Sequence, residues 1–342
     1  MAKLNNKDYS KQDILRYCGS VDQIASITQS QLNGGKANGL QSYNVKTGGG
    51  LEYNVLPSKC LDISSLSYKG VNISFLTKNG LTGPSYNVPI GDEFVNYMIG
   101  GMLFTCGLRN VGGSCEDNKD FHPLHGRIGI TPAQYAYANC YWEKDDYIME
   151  MGGVVKETAL FGVNMSLTRK IISKLGENEI EIRDVIENNS SEEQEFMFLY
   201  HINFGFPFLD NNLKILFPEN ILTPLNEVAK AALNDSVQIT KPIDGFEEHV
   251  FFRDVKEEDG IVTIRLLNDN LGIGAYIKYE KENLPNLTQW KAMKSGDYAL
   301  SIEPCNCFVK GVKEERENGT LKTIPAFSTL RFNLKIGFFD LN

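Results

Sequence analysis

Clustered positive charge is what this sequence most plainly lacks. Its 342 residues carry 34 Lys and Arg against 43 Asp and Glu, a formal net charge of −9, and the basic residues are scattered along the chain. Nucleic acids and anionic membrane surfaces both require a basic footprint, so neither is an expected partner. No apolar run is long enough to span a bilayer, and the opening Met1-Ala2-Lys3-Leu4-Asn5-Asn6 lacks the apolar core of a secretory leader. Metal-type cysteine spacing is missing too. The 7 cysteines, at positions 18, 60, 106, 115, 140, 305 and 307, are odd in number, and Cys305-Asn306-Cys307 is too tight for a zinc knuckle and is not the redox C-x-x-C. They read as reduced thiols of a cytoplasmic protein, with no metal or other cofactor expected. Histidine is scarce, with 4 residues, at 122, 125, 201 and 249, so each is weighed individually.

What is present is strand. After a helix start at Ser10-Lys11-Gln12-Asp13, where a Ser cap precedes an acidic residue by three positions, Gly19 closes a short helix. Residues 1–20 are therefore expected to be a helical extension. Gly34-Gly35 and Gly48-Gly49-Gly50 then punctuate stretches rich in Val, Tyr and Ile, followed by the apolar strings Val71–Leu76 and Tyr97–Phe104. From about residue 146 the alternation is clear. Ser166–Ile172, Glu179–Ile186 and the run ending at His201 read as successive antiparallel strands, with Val262–Leu267, Gly274–Tyr279, Tyr298–Glu303 and Thr329–Gly337 as further strands. Glu227–Leu233 reads as a short helix or a surface loop. No repeat, low-complexity tract or Pro/Ser-rich linker marks a border. The expectation is one all-β domain over 1–342, with two sheets packed face to face.

Three segments hold groups that could carry chemistry. In Leu199-Tyr200-His201-Ile202-Asn203-Phe204-Gly205 a histidine sits inside an apolar run covered on both faces. A buried neutral histidine bonded to a backbone carbonyl is the commoner occupant of such a place, and an unpaired one is costly. Phe121-His122-Pro123-Leu124-His125-Gly126-Arg127 reads as a loop able to turn His125 and Arg127 toward a cleft, with a solvated loop as the equal alternative. In Tyr298–Glu303, strand alternation places Ala299, Ser301 and Glu303 on one face, the small residues making the floor of a pocket. Pro304 is expected to end the strand and leave Glu303 at a rim; a half-exposed glutamate on a solvated face is the plainer reading.

As a set these motifs resemble a known family. The order of "PLHGR" around His125, "LYHINFG" around His201 and "IEPCN" around Glu303 is similar to that of the galactose mutarotase (aldose 1-epimerase) superfamily. The likeness is closest to its branch of mutarotase-related proteins designated a domain of unknown function. "GGGLEYNVLPSKCLDISSLSYKGVNISFL" (48–76), "GGMLFTCGLRNVGG" (100–113), "LFGVNMSLTRKI" (160–171) and "NFGFPFLD" (203–210) carry the same likeness. The resemblance implies a β-supersandwich of two large, mostly antiparallel sheets with an open sugar cleft, and an isomerase that interconverts the anomers of a reducing sugar without metal or cofactor. It implies His201 as acid, Glu303 as base and His125 as the group that steadies the sugar. Lys59, Asp62, Arg109, Asn110, Arg127 and Asn203 are the expected sugar contacts, with Asp244 and Glu247 as further acidic candidates and Tyr200 or the Phe204–Phe206 stretch packing on the ring. The sequence departs from the mutarotases proper in reading His201-Ile202-Asn203-Phe204-Gly205 where they have His-x-Tyr-Phe-Asn, and in lacking a clear counterpart of their sugar-binding arginine. Two other readings stand beside this one: a non-catalytic carbohydrate-binding protein on the same scaffold, and a sugar isomerase holding a metal on His122, His125, His201 and Glu303. An uncovered sheet edge would favour a homodimer.

Overall fold

The computed structural model describes residues 2–4, 7–117 and 120–341. Strand accounts for 51% of it and helix for 11%, an all-β chain. An eight-stranded sheet has the order Gln134–Glu143, Asp146–Thr158, Asn164–Lys174, Glu179–Asn188, Thr329–Asp340, Ile273–Glu280, Ile261–Asn268 and Leu213–Leu216. A second sheet runs Asn220–Pro224, His249–Val255, Asn286–Lys294, Asp297–Cys305, Gln194–Phe204 and Lys322–Ile324, and Phe104–Leu108 also pairs with Gln194–Phe204. A five-stranded sheet, Ser26–Gln31 to Val71–Asn72, joins the second through single bridges between Ile63 and Leu103 and between Ser74 and Phe204. Every paired strand in these sheets is antiparallel.

The alternating stretches form strands at the expected places, with ends that differ by a few residues: Ile261–Asn268, Ile273–Glu280, Asp297–Cys305 and Thr329–Asp340. Two expectations change. Glu179–Asn188 does not pair with the strand after it; its neighbour is the C-terminal Thr329–Asp340, while Gln194–Phe204 crosses to the opposite sheet. The apolar string Tyr97–Phe104 is no strand, because Gly100 and Gly101 adopt φ of 75° and 89° and fold the chain back on Phe75 and Ile63. The segment Glu227–Ala231 is a short helix capped by Asn226. At the N-terminus, a hairpin of Ala2–Leu4 with Lys7–Tyr9 precedes the helix Lys11–Tyr17, whose capping box pairs Ser10 and Asp13 in both directions. Ala2, Ile14 and Cys18 pack into the main core, so this extension is part of the body of the protein.

A buried ionic network ties the sheets together behind the segment that carries His201. Arg169, on the strand Asn164–Lys174, contacts Asp184 at 2.7 Å on the next strand and Asp62 at 2.9 Å on the five-stranded sheet. Its Nη1 also donates to Thr105 Oγ1 at 2.9 Å, and the Tyr200 hydroxyl donates to Asp184 at 2.8 Å. All these groups are removed from water. Such an array is stable only when each charge is met, and here Arg169 is flanked by two carboxylates with further donors around them.

Candidate active site

The strand Gln194–Phe204 is buried along most of its length, and its two faces have different duties. Phe196, Phe198, Tyr200, Ile202 and Phe204 point into the main core, whereas Met197 and Leu199 belong to a second cluster with Phe94, Phe104, Cys106 and Cys305. By alternation His201 shares that second face. Its neighbour is fixed by register. Ile202 pairs with Ile302 and Asn203 with Ser301, so one step back sets Glu303 opposite His201. Facing residues of adjacent antiparallel strands bring their side chains within reach of one another. His201 Nε2 stands 3.2 Å from Glu303 Oε1. The Ser301 hydroxyl, on the same face, donates to the same carboxyl oxygen.

Glu303 is not at a rim. It is 2% exposed, and its strand continues through Pro304 to Cys305. Proline has no N–H to give to a ladder; bridging between the two strands skips from Leu199–Cys305 to Ile202–Ile302, and pairing with Leu287 on the other side carries the strand onward. The carboxyl therefore forms part of a floor.

His125 reaches the same place from the loop after Asp120–His122. It sits at φ 59°, in the left-handed region, with its N–H bonded to Gly112 O at 2.9 Å and its carbonyl accepting from Gly107 N at 3.1 Å. Gly126 follows at φ 77°, where a Cβ would lie 2.2 Å from Gly107 O, so only glycine permits this approach. The His125 ring packs 5.1 Å from the Phe94 ring and 5.8 Å from the His201 ring. Its Nδ1 accepts from the Gly112 N–H at 3.4 Å, which leaves Nε2 as the protonated nitrogen of the neutral ring.

These side chains line a cavity of about 320 Å³ between the sheet and the loops. Phe94, Val95, Met98, Gly112, Gly113, Leu124 and Val309 also line it, and on the sheet Thr288 pairs with Glu303 and Val250 with Trp290, with Leu225 bonded to Val250 and Glu248 to Trp290. Trp290 lies 5.6 Å from the His201 ring and donates its indole N–H to Glu248 at 2.6 Å. Burial dominates the electrostatics. It raises the Glu303 carboxyl from 4.5 to about 8, opposed by the Ser301 hydrogen bond and reinforced by the Glu248 charge. It lowers His201 from 6.5 to about 4, against the opposite pull of Asn203 and Glu248. It lowers His125 to about 3, with His201 adding to the effect. An empty site near neutral pH thus holds neutral imidazoles beside a carboxyl that keeps its proton. His201 Nδ1 and Asn203 Oδ1 are both buried without a formed hydrogen bond, two positions apart on one strand face.

His125, His201 and Glu303, far apart in sequence, are brought together. None of the six expected sugar contacts is among the lining residues, and each is engaged elsewhere. Lys59 is buried, bonded to Asn87 at 2.9 Å, and burial brings its ammonium down to about 8. Asp62 belongs to the Arg169 network. Arg109 pairs with Asp120 at 2.9 Å, and Arg127 donates to the carbonyl of Phe121. Asn110 staples the loop, donating to Gly113 and Pro123 carbonyls and accepting from Val312 N. Asn203 donates to the carbonyls of Gly101 and His201. Asp244 accepts from Ser295, and Glu247 lies beside the lining residue Glu248 without joining it. Tyr200 and Phe204 face the core, and Phe206 is exposed. Among the residues not anticipated are Phe94, Trp290, Glu248 and Thr288. Tryptophan's scarcity, 2 in the chain, was the available signal for Trp290; nothing local distinguishes Glu248 from Glu247. Among the described residues no group of three or more His, Cys, Asp or Glu side chains is placed to hold a metal, and His122 is buried away from the cavity lining.

Comparison with known proteins agrees with this architecture. The family model described as domain of unknown function (DUF4432) matches residues 37–338. Among solved structures, a putative aldose 1-epimerase from Klebsiella pneumoniae superposes with a TM-score of 0.88 at 23% identity, over 94% of this chain and 86% of that one. A galactose mutarotase-like protein from Clostridium acetobutylicum superposes with a TM-score of 0.63 at 16% identity, over 93% and 100% of the two chains. A galactose 1-epimerase from Lactobacillus acidophilus does so with a TM-score of 0.59 at 12% identity, again over 93% and 100%. No curated protein matches the chain. At these identities the likenesses show the fold, that of the galactose mutarotase-like β-supersandwiches.

Proposed function

The chain belongs to the family described as domain of unknown function (DUF4432), and from this premise we propose that its cavity interconverts the anomers of a reducing sugar by acid–base opening of the hemiacetal ring. The observation that carries this reading is the contact of 3.2 Å between His201 Nε2 and Glu303 Oε1 on the cavity floor. Opening a pyranose moves two protons between adjacent oxygens. The anomeric hydroxyl loses one as its oxygen becomes a carbonyl, the C1–O5 bond breaks, and O5 gains one. An acid and a base must therefore stand side by side on one edge of the sugar.

The proton count of the pair suits the whole cycle. With His201 near 4 and Glu303 near 8, the two groups hold one proton between them across that range. In the ion-pair arrangement, protonated His201 gives its proton to O5 while the Glu303 carboxylate takes the anomeric proton. The products are a neutral imidazole and a carboxylic acid, which is the arrangement burial favours in the empty site. After rotation about C1–C2, Glu303 returns a proton to the carbonyl oxygen and His201 takes one from the O5 hydroxyl, restoring the ion pair and leaving the other anomer. Glu248 and Asn203, which both pull His201 upward, support the charged imidazole at the start. Neutral His125 donates from Nε2 to a sugar oxygen and steadies the ring, and Trp290 offers a flat face to its C–H groups.

Magnetisation-exchange NMR on a panel of reducing sugars detects anomer interconversion directly. We expect His201→Asn and Glu303→Gln each to reduce the exchange rate by about 10²- to 10⁴-fold. Near-normal rates in either variant would overturn the assignment. A non-catalytic binding protein gives the other pattern: sugar binding that survives Glu303→Gln with no catalysed exchange in the wild type.

A further inference from the structure

We infer that the cavity is shaped for an uncharged deoxy sugar, a monosaccharide with a methyl group where ordinary hexoses carry a hydroxymethyl. The inference rests on the anomer-exchange reading above, because that chemistry fixes how a sugar must lie. O5 has to meet the His201–Glu303 floor, and the C6 substituent is only two bonds from O5. Whatever surrounds the floor therefore surrounds C6.

The surroundings are unlike a site made to grip hydroxyls. The His201 ring has the Trp290 ring 5.6 Å away, and the His125 ring beside it is backed by Phe94 at 5.1 Å. Val95, Met98 and Leu124 line the cavity as well, and Val250 stands next to Trp290 on the sheet. The polar side chains of the lining are His201, His125 and Glu303, which the reacting edge needs, Thr288, which pairs with Glu303 across the strands, and Glu248, which holds the Trp290 indole. A hydroxymethyl turned into the apolar wall would leave its hydroxyl without a partner, whereas a methyl gains contact there. Charge points the same way. The ionisable groups of the lining are two histidines that burial keeps neutral and two carboxyls, Glu248 and Glu303. Arg109 and Arg127, the cations that could have met a phosphate or uronate, are turned to Asp120 and the Phe121 carbonyl.

The test uses matched sugars that differ only at C6: 6-deoxy-D-glucose, D-glucose, D-glucose 6-phosphate and D-glucuronate, with D-fucose against D-galactose as a second pair. Anomer exchange is measured by NMR, and binding by quenching of Trp290 fluorescence in a Trp142→Phe background. Apolar pockets discriminate against an added hydroxyl by about tenfold to a hundredfold, and kcat/KM for the 6-deoxy member of each pair should exceed that of its parent by that factor, with no exchange of the phosphate or uronate. Val250→Thr, which adds a hydroxyl at constant shape, should narrow the gap. Exchange as fast on the parent hexoses, or on the charged sugars, overturns the inference and leaves the anomerase reading standing. Quenching by 6-deoxy sugars alone, without exchange of any sugar, overturns the anomerase reading and keeps the selectivity. Neither exchange nor quenching overturns both.

Discussion

Glu303→Gln should stabilise the protein while removing its activity, and the stabilisation should grow with pH. The reason is the mismatch between the buried carboxyl, at about 8, and the same group in the unfolded chain, at its ordinary 4.5. For an acid whose folded value is raised, the stability that comes from keeping it neutral is fully present below pH 4.5. It is lost as the pH climbs toward 8, because the unfolded chain ionises freely and the folded one cannot. Each pH unit in that window costs about 1.4 kcal/mol, which gives roughly 3 kcal/mol at pH 7 and roughly 5 kcal/mol above pH 8. His201, at 3.2 Å, shares the single proton of the pair without changing the count, so this difference is what an amide at position 303 would relieve. Glutamine has the shape of the neutral acid and no proton to lose. Urea unfolding of the wild type and the variant at pH 5, 6, 7 and 8 measures the difference directly: the curves should nearly coincide at pH 5 and separate as pH rises, with equal m-values. A variant that becomes less stable than the wild type as pH rises would instead mean that ionised Glu303 is welcomed by its surroundings.

Other consequences are testable with similar means. Arg169→Met should destabilise by about 3–5 kcal/mol in denaturant unfolding, because Asp62 and Asp184 would be left buried without their cation; a loss under 1 kcal/mol would show that the network is not what holds the sheets together. Trp290→Ala should weaken sugar binding, measured by calorimetry, by about tenfold or more through lost stacking area, with the fold intact by circular dichroism; unchanged affinity would remove Trp290 from the site. Asn203→Leu should cost about 1–3 kcal/mol of stability by abandoning the carbonyls of Gly101 and His201. The same change should also lower the exchange rate by withdrawing the group that pulls His201 upward; an unchanged rate would leave Asn203 with a structural duty alone.

Much of the fold was legible because half-buried strands write their period into the sequence. Ile261–Asn268 and Ile273–Glu280 alternate cleanly, and so does Glu179–Asn188. Which sheet a strand joins is not local information: the run ending at His201 follows Glu179–Asn188 in the chain and yet lies in the other sheet. The floor of the site was legible through Ser301 and Glu303 sharing a face, and through a histidine interrupting an apolar strand. The walls were not. The expected gripping residues are charged, and charged residues in a sequence look alike whether they face a sugar, as Glu248 faces the cavity, or close a salt bridge, as Asp62 does with Arg169. Phe94 and Val250 look like core residues, and their exposure to the cavity follows from which loops fold over the sheet.

On the proposed reading His201 and Glu303 share one proton at the cavity floor and use it to exchange anomers. The pH dependence of NMR anomer exchange, measured on the wild type with a sugar it turns over, tests this most directly. The rate should be flat between about pH 4 and about pH 8 and fall on both sides, as the pair gains a second proton below and loses its only one above. A rate that climbs steadily through pH 8, or that stays the same when His201 or Glu303 is replaced, would contradict it.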